Sequence, residues 1–359
     1  MLAIVISGAG ILAVGVWLGL RLLRSGAAAG PPTAASASLR SHPNVGFAAA
    51  VAPDSTEPGL SAVDVDRIRT VSKQAADRLW KLAFAAPSQN QASELVNRRI
   101  RDNIVAKLQV DTLDEKYFPR RPTLMPQLLQ AVNDPRAASE KIARIIAHDP
   151  VLTAEVLRLA NSTLHRAAGP PIETIQRAIV VCGVDALRGM LATAMLQPVF
   201  RATRKNFPRL PRMLWERTEH ATRAAESYAL ERHPRDRFES QLVVLLSALG
   251  PLVVYSVTLD VYARNPHFSP NGDLCVALIG DLAPQISRHI ARNWETSPRL
   301  LAALDGDAAE PLTAALHVGE LLGSLSLLES QTVISGAERR KVLDSAGLSE
   351  ESMSRICAA

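Results

Sequence analysis

The sequence predicts an all-α protein, and three observations carry that expectation. Aromatic residues make up only 4% of the 359 residues while Ala and Leu abound, a composition that favours helices over pleated sheets. Beyond residue 60, apolar residues recur three and four positions apart, the period of an amphipathic helix. No two alternating runs flank a tight turn, and no stretch repeats, so neither hairpins nor a solenoid are indicated. The bulk numbers narrow the class further. A hydrophobic fraction of 47% suits a globular core plus one apolar segment. Forty Lys and Arg stand against 35 Asp and Glu, a formal charge of +5. So mild an excess permits contact with an anionic membrane surface but gives no argument for nucleic acid. Cys182, Cys275 and Cys357 are far apart and odd in number, which offers no disulfide framework and no metal-ligand spacing, and suits a reducing compartment.

Residues 1–24 read as a single transmembrane anchor. Leu2 to Leu23 is a nearly unbroken apolar run with no charge before Arg21, long enough as a helix to cross a hydrocarbon core of about 30 Å. A cleaved signal peptide is the rival reading. It would use the alanines at 27–29, but no Lys or Arg precedes the run and the run is long for such a segment. Arg21 and Arg24 follow directly, so the positive-inside rule places the remainder at the cytoplasmic face of the cell membrane. Gly15-x-x-x-Gly19 would let two such helices approach closely, which leaves a homodimer open. Residues 25–59, rich in Ala, Ser, Pro and Gly, lack a buried stripe and read as a flexible linker. Residues 60–112 are expected to be a helical stalk or a hairpin packed on the main domain. Ile68, Val71, Ala75, Leu79 and Leu82 are coiled-coil-like for only two heptads, and Val96, Ile100, Ile104 and Leu108 mark a second amphipathic piece.

The stretch from Thr123 to Ser162 predicts three short helices. Leu124, Leu128, Leu129 and Val132 give the first its apolar face, and Asn133-Asp134-Pro135 ends it. Ile142, Ile145 and Ile146 mark the second. Asp149 and Pro150 are an N-cap and a first helical residue for the third, whose buried stripe is Leu152, Val156, Leu159 and Ala160. Asn161 and Ser162 are expected to hydrogen-bond at its end. The wording Pro122-x-x-x-Pro126, "NDP" and "DPVLTAEVLRLANS", followed by Pro170 to Ile175 and Gly183 to Arg188, resembles the HDOD family, a signalling-output relative of the HD phosphohydrolases. The resemblance implies a multi-helix bundle over residues 115–315 and a role in signal transduction.

Downstream, Phe200 to Pro211 reads as a basic loop (Arg201, Arg204, Lys205, Arg209, with Arg212 beyond). Leu214–Leu230, Gln241–Leu259, Leu274–Asn293, Pro298–Leu304 and Pro311–Leu328 read as helices, with a loop over Arg264–Gly272 and turns at Gly169-Pro170-Pro171 and Gly250-Pro251-Leu252. Residues 316–359 are expected to pack on the domain as C-terminal helices, one starting at a Ser335-x-x-Glu338 cap and another over Leu348–Ile356.

HD phosphohydrolases hold divalent metals with a His, a His-Asp pair and a further Asp on packed helices, and the metal activates water for attack on phosphorus. In this chain Leu214-Trp215-Glu216-Arg217-Thr218 is similar to the helix that bears the first metal His, and that position falls near Arg217. Leu245 to Gly250 is similar to the helix that bears the His-Asp pair, which here reads Ser247-Ala248. A cation is a poor ligand and Ala ligates nothing. No catalytic, cofactor-binding or metal residues are therefore assigned. His148-Asp149 reads as a helix start, and His165, His220, His233, His267, His289 and His317 as ordinary scattered histidines. The chain also lacks a Gly-rich phosphate loop and a G-x-S-x-G elbow. The reading that follows is a membrane-tethered, non-enzymatic signalling scaffold with an unidentified signalling protein as partner. The alternative is a divergent metal phosphohydrolase or phosphodiesterase built from an unorthodox set such as His220, Asp236 and Asp281. A purely structural envelope protein is the third reading.

Overall fold

The fold is known from a computed structural model. It describes residues 61–84, 93–109, 138–147, 150–162, 170–200, 209–268 and 271–348, with a few single positions between 113 and 127. The expected anchor (1–24), the linker (25–59), the 124–132 helix face, His148-Asp149, His165 and the 349–356 helix lie outside the described residues.

Among the described residues every regular element is helical. They are α1 (Ala62–Ala83), α2 (Glu94–Lys107), α3 (Ala138–Ala147), α4 (Pro150–Ala160), α5 (Ile175–Phe200), α6 (Arg209–Arg232), a 3-10 turn (Pro234–Asp236), α7 (Arg237–Ser247), α8 (Leu249–Ala263), α9 (Gly272–Asn293), α10 (Pro298–Asp305), α11 (Pro311–Ser330) and α12 (Gly336–Ser345). The apolar stripes read from sequence are the buried faces. Ile68, Val71, Ala75 and Leu79 of α1 are buried, and so are Ile100 and Ile104 of α2, Ile142, Ile145 and Ile146 of α3, and Leu152, Val156 and Ala160 of α4. Leu159 is only half-buried and lies at the margin of that face. Each fully buried aliphatic side chain contributes roughly 1.5–3 kcal/mol.

Helix ends follow local chemistry. Ser61 and Asp64 form a reciprocal capping box at α1, and Ser335 and Glu338 form another at α12. Asn271 caps α9 through the Leu274 amide, 3.0 Å away. Pro298 follows the Ser297 cap of α10, whose other end turns on Gly306 at φ 78°. Asn161 ends α4 by accepting from the Ile172 amide at 2.8 Å and donating to the Leu157 and Ile172 carbonyls. Inside α5, Gly183 takes φ 82°, ψ 166° and divides the element into two helical pieces. That backbone is open to glycine at little cost.

The core is laid around α6 and α11, which pack along each other. α1 lies on α11 and against α9. α7 sits among α5, α6, α9 and α11, α8 packs on α9, and α3, α4 and α5 form a group joined to α6 and α7 through α5. The α6–α11 approach is close because α11 carries Gly319 and Gly323. A Cβ at Gly319 would stand 2.6 Å from the Ala221 carbonyl oxygen, and one at Gly323 would stand 2.6 Å from that of Arg217.

Two expectations need correction. Gln241–Leu259 is not one helix: it breaks at Ala248, and Gly250-Pro251-Leu252 is the first turn of α8, not a connecting turn. Pro251 has no amide hydrogen to give the Ser247 carbonyl, so the ladder ends there. The basic loop also ends earlier than expected, because Pro211 sits in the first turn of α6, which begins at Arg209. Among the described residues three helical stretches, Ile175–Gln197, Pro234–Ala263 and Pro311–Ser330, are long and apolar enough to cross a membrane, and their most apolar windows are 56%, 89% and 78% buried within this fold.

Candidate functional site

The site grows from the α6–α11 contact. With Gly319 and Gly323 letting the backbones meet, Arg217 is carried into the interior of the bundle and is 4% exposed. A buried guanidinium needs partners on its own plane, and α11 and α1 supply them. Its Nε donates to Ser324 Oγ at 2.8 Å, its Nη2 lies 3.6 Å from Glu320 Oε1, and its plane stands over the Trp80 ring with 5.4 Å to the centroid.

Glu320 is the hub. Its Oε1 also accepts from the Ser247 hydroxyl at 3.0 Å, a proton that Ser247 shares with the Val244 carbonyl at 2.9 Å. Its Oε2 lies 3.6 Å from His317 Nδ1. Burial alone would push the Glu320 carboxyl up. The Arg217 charge, with His317 and Ser247, outweighs burial and holds it down at about 2. The group is thus an anion whose counter-charge is an internal cation.

Ser247 and Ala248 are placed by the helix break. The Ser247 carbonyl, which Pro251 cannot serve, accepts instead from the Ser287 hydroxyl of α9 at 2.8 Å, and Ser287 Oγ in turn accepts from the Gly250 amide at 2.9 Å. Gly250 is required here, because a Cβ would fall 2.1 Å from the Ala283 carbonyl oxygen. Ala248 is 1% exposed and presents only a methyl group.

Arg217 and Ser247, 30 positions apart in sequence, therefore converge on one carboxylate, in the region where the resemblance to HD phosphohydrolases would put a metal. The residues there do not fit a divalent metal. The Arg217 guanidinium and the Ala248 methyl group stand at the positions that the resemblance gives to a metal-binding imidazole and carboxylate, and Glu320 is already paired with Arg217. No group of three His, Cys, Asp or Glu side chains among the described residues could hold a metal. The unorthodox set is not assembled either. His220 Nδ1 faces Ser326 Oγ at 3.5 Å. Asp236 is gripped at both oxygens by Arg299 (2.8 and 2.9 Å), which also binds Glu310. Asp281 lies near Asp77, and the repulsion helps to raise the Asp77 carboxyl, after burial as the larger cause.

Sequence reasoning missed Glu320, His317, Ser324 and Trp80 as parts of this site. One signal was available. Glu320 is the only charged residue in the apolar stretch Pro311–Leu328, and an acid on a buried face demands a partner.

Beside the ion pair lies a cavity of about 570 Å³. α1 forms one wall with Arg69, Lys73 and Asp77, and α9 and α11 form the others with Ile279, Pro284 and Leu316.

Residues 118–306, more than half of the chain, match the HDOD domain family. No curated protein matches the chain. Among solved structures the chain is similar to an HDOD domain protein with unknown function from Geobacter sulfurreducens, at 20% identity and a TM-score of 0.49, over 74% of this chain and 98% of that one. It is similar to a candidate metal-dependent phosphohydrolase from Shewanella amazonensis SB2B, also at 20% and 0.49, over 73% and 98%. A candidate signal transduction protein from Marinobacter aquaeolei VT8 aligns at 18% and 0.43, over 82% and 65%.

Proposed function

The chain belongs to the HDOD family, and from that premise we propose that it is a non-catalytic signalling scaffold, held at the cytoplasmic face of the membrane by residues 1–24 and acting through contacts with a signalling protein. One observation supports the reading: Arg217 and Ser247-Ala248 fall where the resemblance puts the metal-binding His and the His-Asp pair, and Arg217 is held there by Glu320. A metal ion entering there meets a guanidinium, and Glu320 is spent on Arg217. Without a metal no hydroxide forms at neutral pH. The fold and its surface then remain as the working parts, and the linker of residues 25–59 gives the domain reach from the bilayer.

Two measurements on the full chain test this. Metal content is determined after loading with Mn²⁺ or Fe²⁺, together with phosphodiester hydrolysis. Substoichiometric metal and no turnover are expected, and one tightly held ion per chain or measurable hydrolysis overturns the reading. Crosslinked membranes are then used for affinity capture with the full chain and with a chain starting at Leu60. The expected result is one kinase, cyclase or comparable signalling protein that the full chain recovers and the truncated chain loses. Failure to recover any specific protein overturns the scaffold.

A further inference from the structure

The cavity beside the ion pair has no part in the scaffold reading, and its chemistry is specific enough to name a ligand class. Its volume of about 570 Å³ falls in the range of small-molecule sites, which lie between roughly 300 and 1,000 Å³. The walls are largely apolar, with Pro251, Ile279, Ala283, Pro284, Leu304 and Leu316 facing it.

The charges that line it cancel. Arg69, Lys73 and Arg217 are matched by Asp77, Asp305 and Glu320. Most of them are already engaged: Arg69 with Asp66 at 2.8 Å, Arg217 with Glu320, Asp305 with Arg288. Lys73 and Asp77 stand one turn apart on α1 and attract each other. A phosphate-bearing ligand needs a surplus of cations, and this cavity has none to offer.

One polar group on the wall lacks a partner. His317 lines the cavity, and its Nε2 is buried with no hydrogen bond among the described residues. In the neutral ring, Nδ1 carries the proton because it faces the Glu320 carboxylate, so Nε2 is an acceptor. A buried acceptor left unmade costs about 1–3 kcal/mol, and a ligand hydroxyl or N–H group would satisfy it.

We propose that this cavity binds an uncharged amphipathic small molecule, its apolar body against the α8, α9 and α11 walls and a hydroxyl or N–H group donated to His317. α1 closes the site: it contributes Lys73, whose Cε would lie 3.4 Å from a Cβ at Gly280, and Arg69, whose Nη1 would lie 2.8 Å from one at Gly306. Occupancy therefore bears on how α1 sits against α9 and α10. The proposal goes beyond the tethered-scaffold reading and stands without it.

The test is native mass spectrometry of the full chain, as purified and after incubation with N-phenyl-1-naphthylamine, an uncharged probe with two aromatic groups joined by one N–H. Wild type, Gly280→Trp (an indole in the cavity) and His317→Ala are compared, and each variant's melting curve shows whether it folds. One adduct per chain is expected in the wild type, either resident or the probe. Gly280→Trp should cut occupancy at least about tenfold, and His317→Ala should weaken probe binding about fivefold, the worth of one hydrogen bond. If Gly280→Trp does not fold, the His317→Ala ratio decides. No adduct in either state, or equal occupancy in the folded variants, overturns the site. A resident adduct carrying phosphate overturns the ligand class.

Discussion

Glu320→Gln is the change that tests the ion pair most directly. The substitution keeps the shape of the side chain and removes only its charge, so the Arg217 guanidinium, 5% exposed, loses its sole counter-ion on α11. The distance between an ordinary glutamate value of 4.5 and about 2 corresponds to roughly 3 kcal/mol. The carboxylate is 20% exposed, so solvent screening takes little from that figure. Removing one partner of a buried pair costs about 3–5 kcal/mol in general, and the two routes agree near 3. For a body of about 300 residues that is a fall of about 5 °C in Tm. The sign with pH follows from linkage. The folded value lies below the unfolded one, so the stabilisation is fully present above 4.5 and is lost as pH falls from 4.5 toward 2. Scanning fluorimetry of the full chain in detergent between pH 7 and pH 3 is the assay. The wild type should lose stability across the acid window, and Glu320→Gln should start about 5 °C lower and decline less there. The double change Arg217→Met with Glu320→Leu should recover most of the loss, since an apolar pair needs no counter-charge. A single variant that melts within 1 °C of wild type and follows the same pH curve would refute the reasoning, because the charge would then contribute nothing.

Three further outcomes are expected. Gly323→Ala places a Cβ 2.6 Å from the Arg217 carbonyl oxygen, which neither helix can yield cheaply, and should cost about 2–3 kcal/mol in denaturant unfolding. Val156→Asp puts a charge at a position of 0% exposure and should leave no folded protein by circular dichroism, while Leu159→Asp, at the half-buried margin, should remain folded with a lowered Tm. Burial pushes the Cys275 thiol up to about 12, so at pH 8 it should resist a thiol reagent in the native chain and react fully in guanidinium, as followed by intact mass.

How much of this was legible in the sequence depended on range. Local signals were reliable. Ser335-x-x-Glu338 was readable as a capping box and is one, and the i, i+3, i+4 stripes of α1 to α4 are the buried faces because a helix has no other way to bury them. The break at Ala248 was in principle readable from Pro251, since a proline removes the bond to the carbonyl four residues earlier. What hid it is that Ser287 of α9, 40 residues away, repairs that carbonyl and makes the break tolerable. Leu159 was misjudged by one step around the helix, as happens where the neighbours that set the edge of a face come from α5 and α6 and not from α4 itself.

The site shows the same division more sharply. Arg217 and Ser247-Ala248 were found by resemblance as places where ligands are missing, which is a statement about loss. What the structure adds is compensation. A buried arginine is tolerable only with an anion beside it, and that anion sits on α11, beyond the stretch whose wording is family-like. Gly319 and Gly323 look like helix-weakening residues in sequence, at about 1 kcal/mol each. They are what lets α11 come close enough for Glu320 to reach both Arg217 and Ser247. Arg217, Ser247, the two glycines and the lone acid of an apolar helix are therefore one physical unit: a protein-borne cation and its counter-ion. Changing Ser247-Ala248 to His-Asp in isolation should not create a metal site, because a second acid would then face Glu320 while the Arg217 cation stayed beside it. A metal site would need Arg217 changed to an imidazole in the same chain.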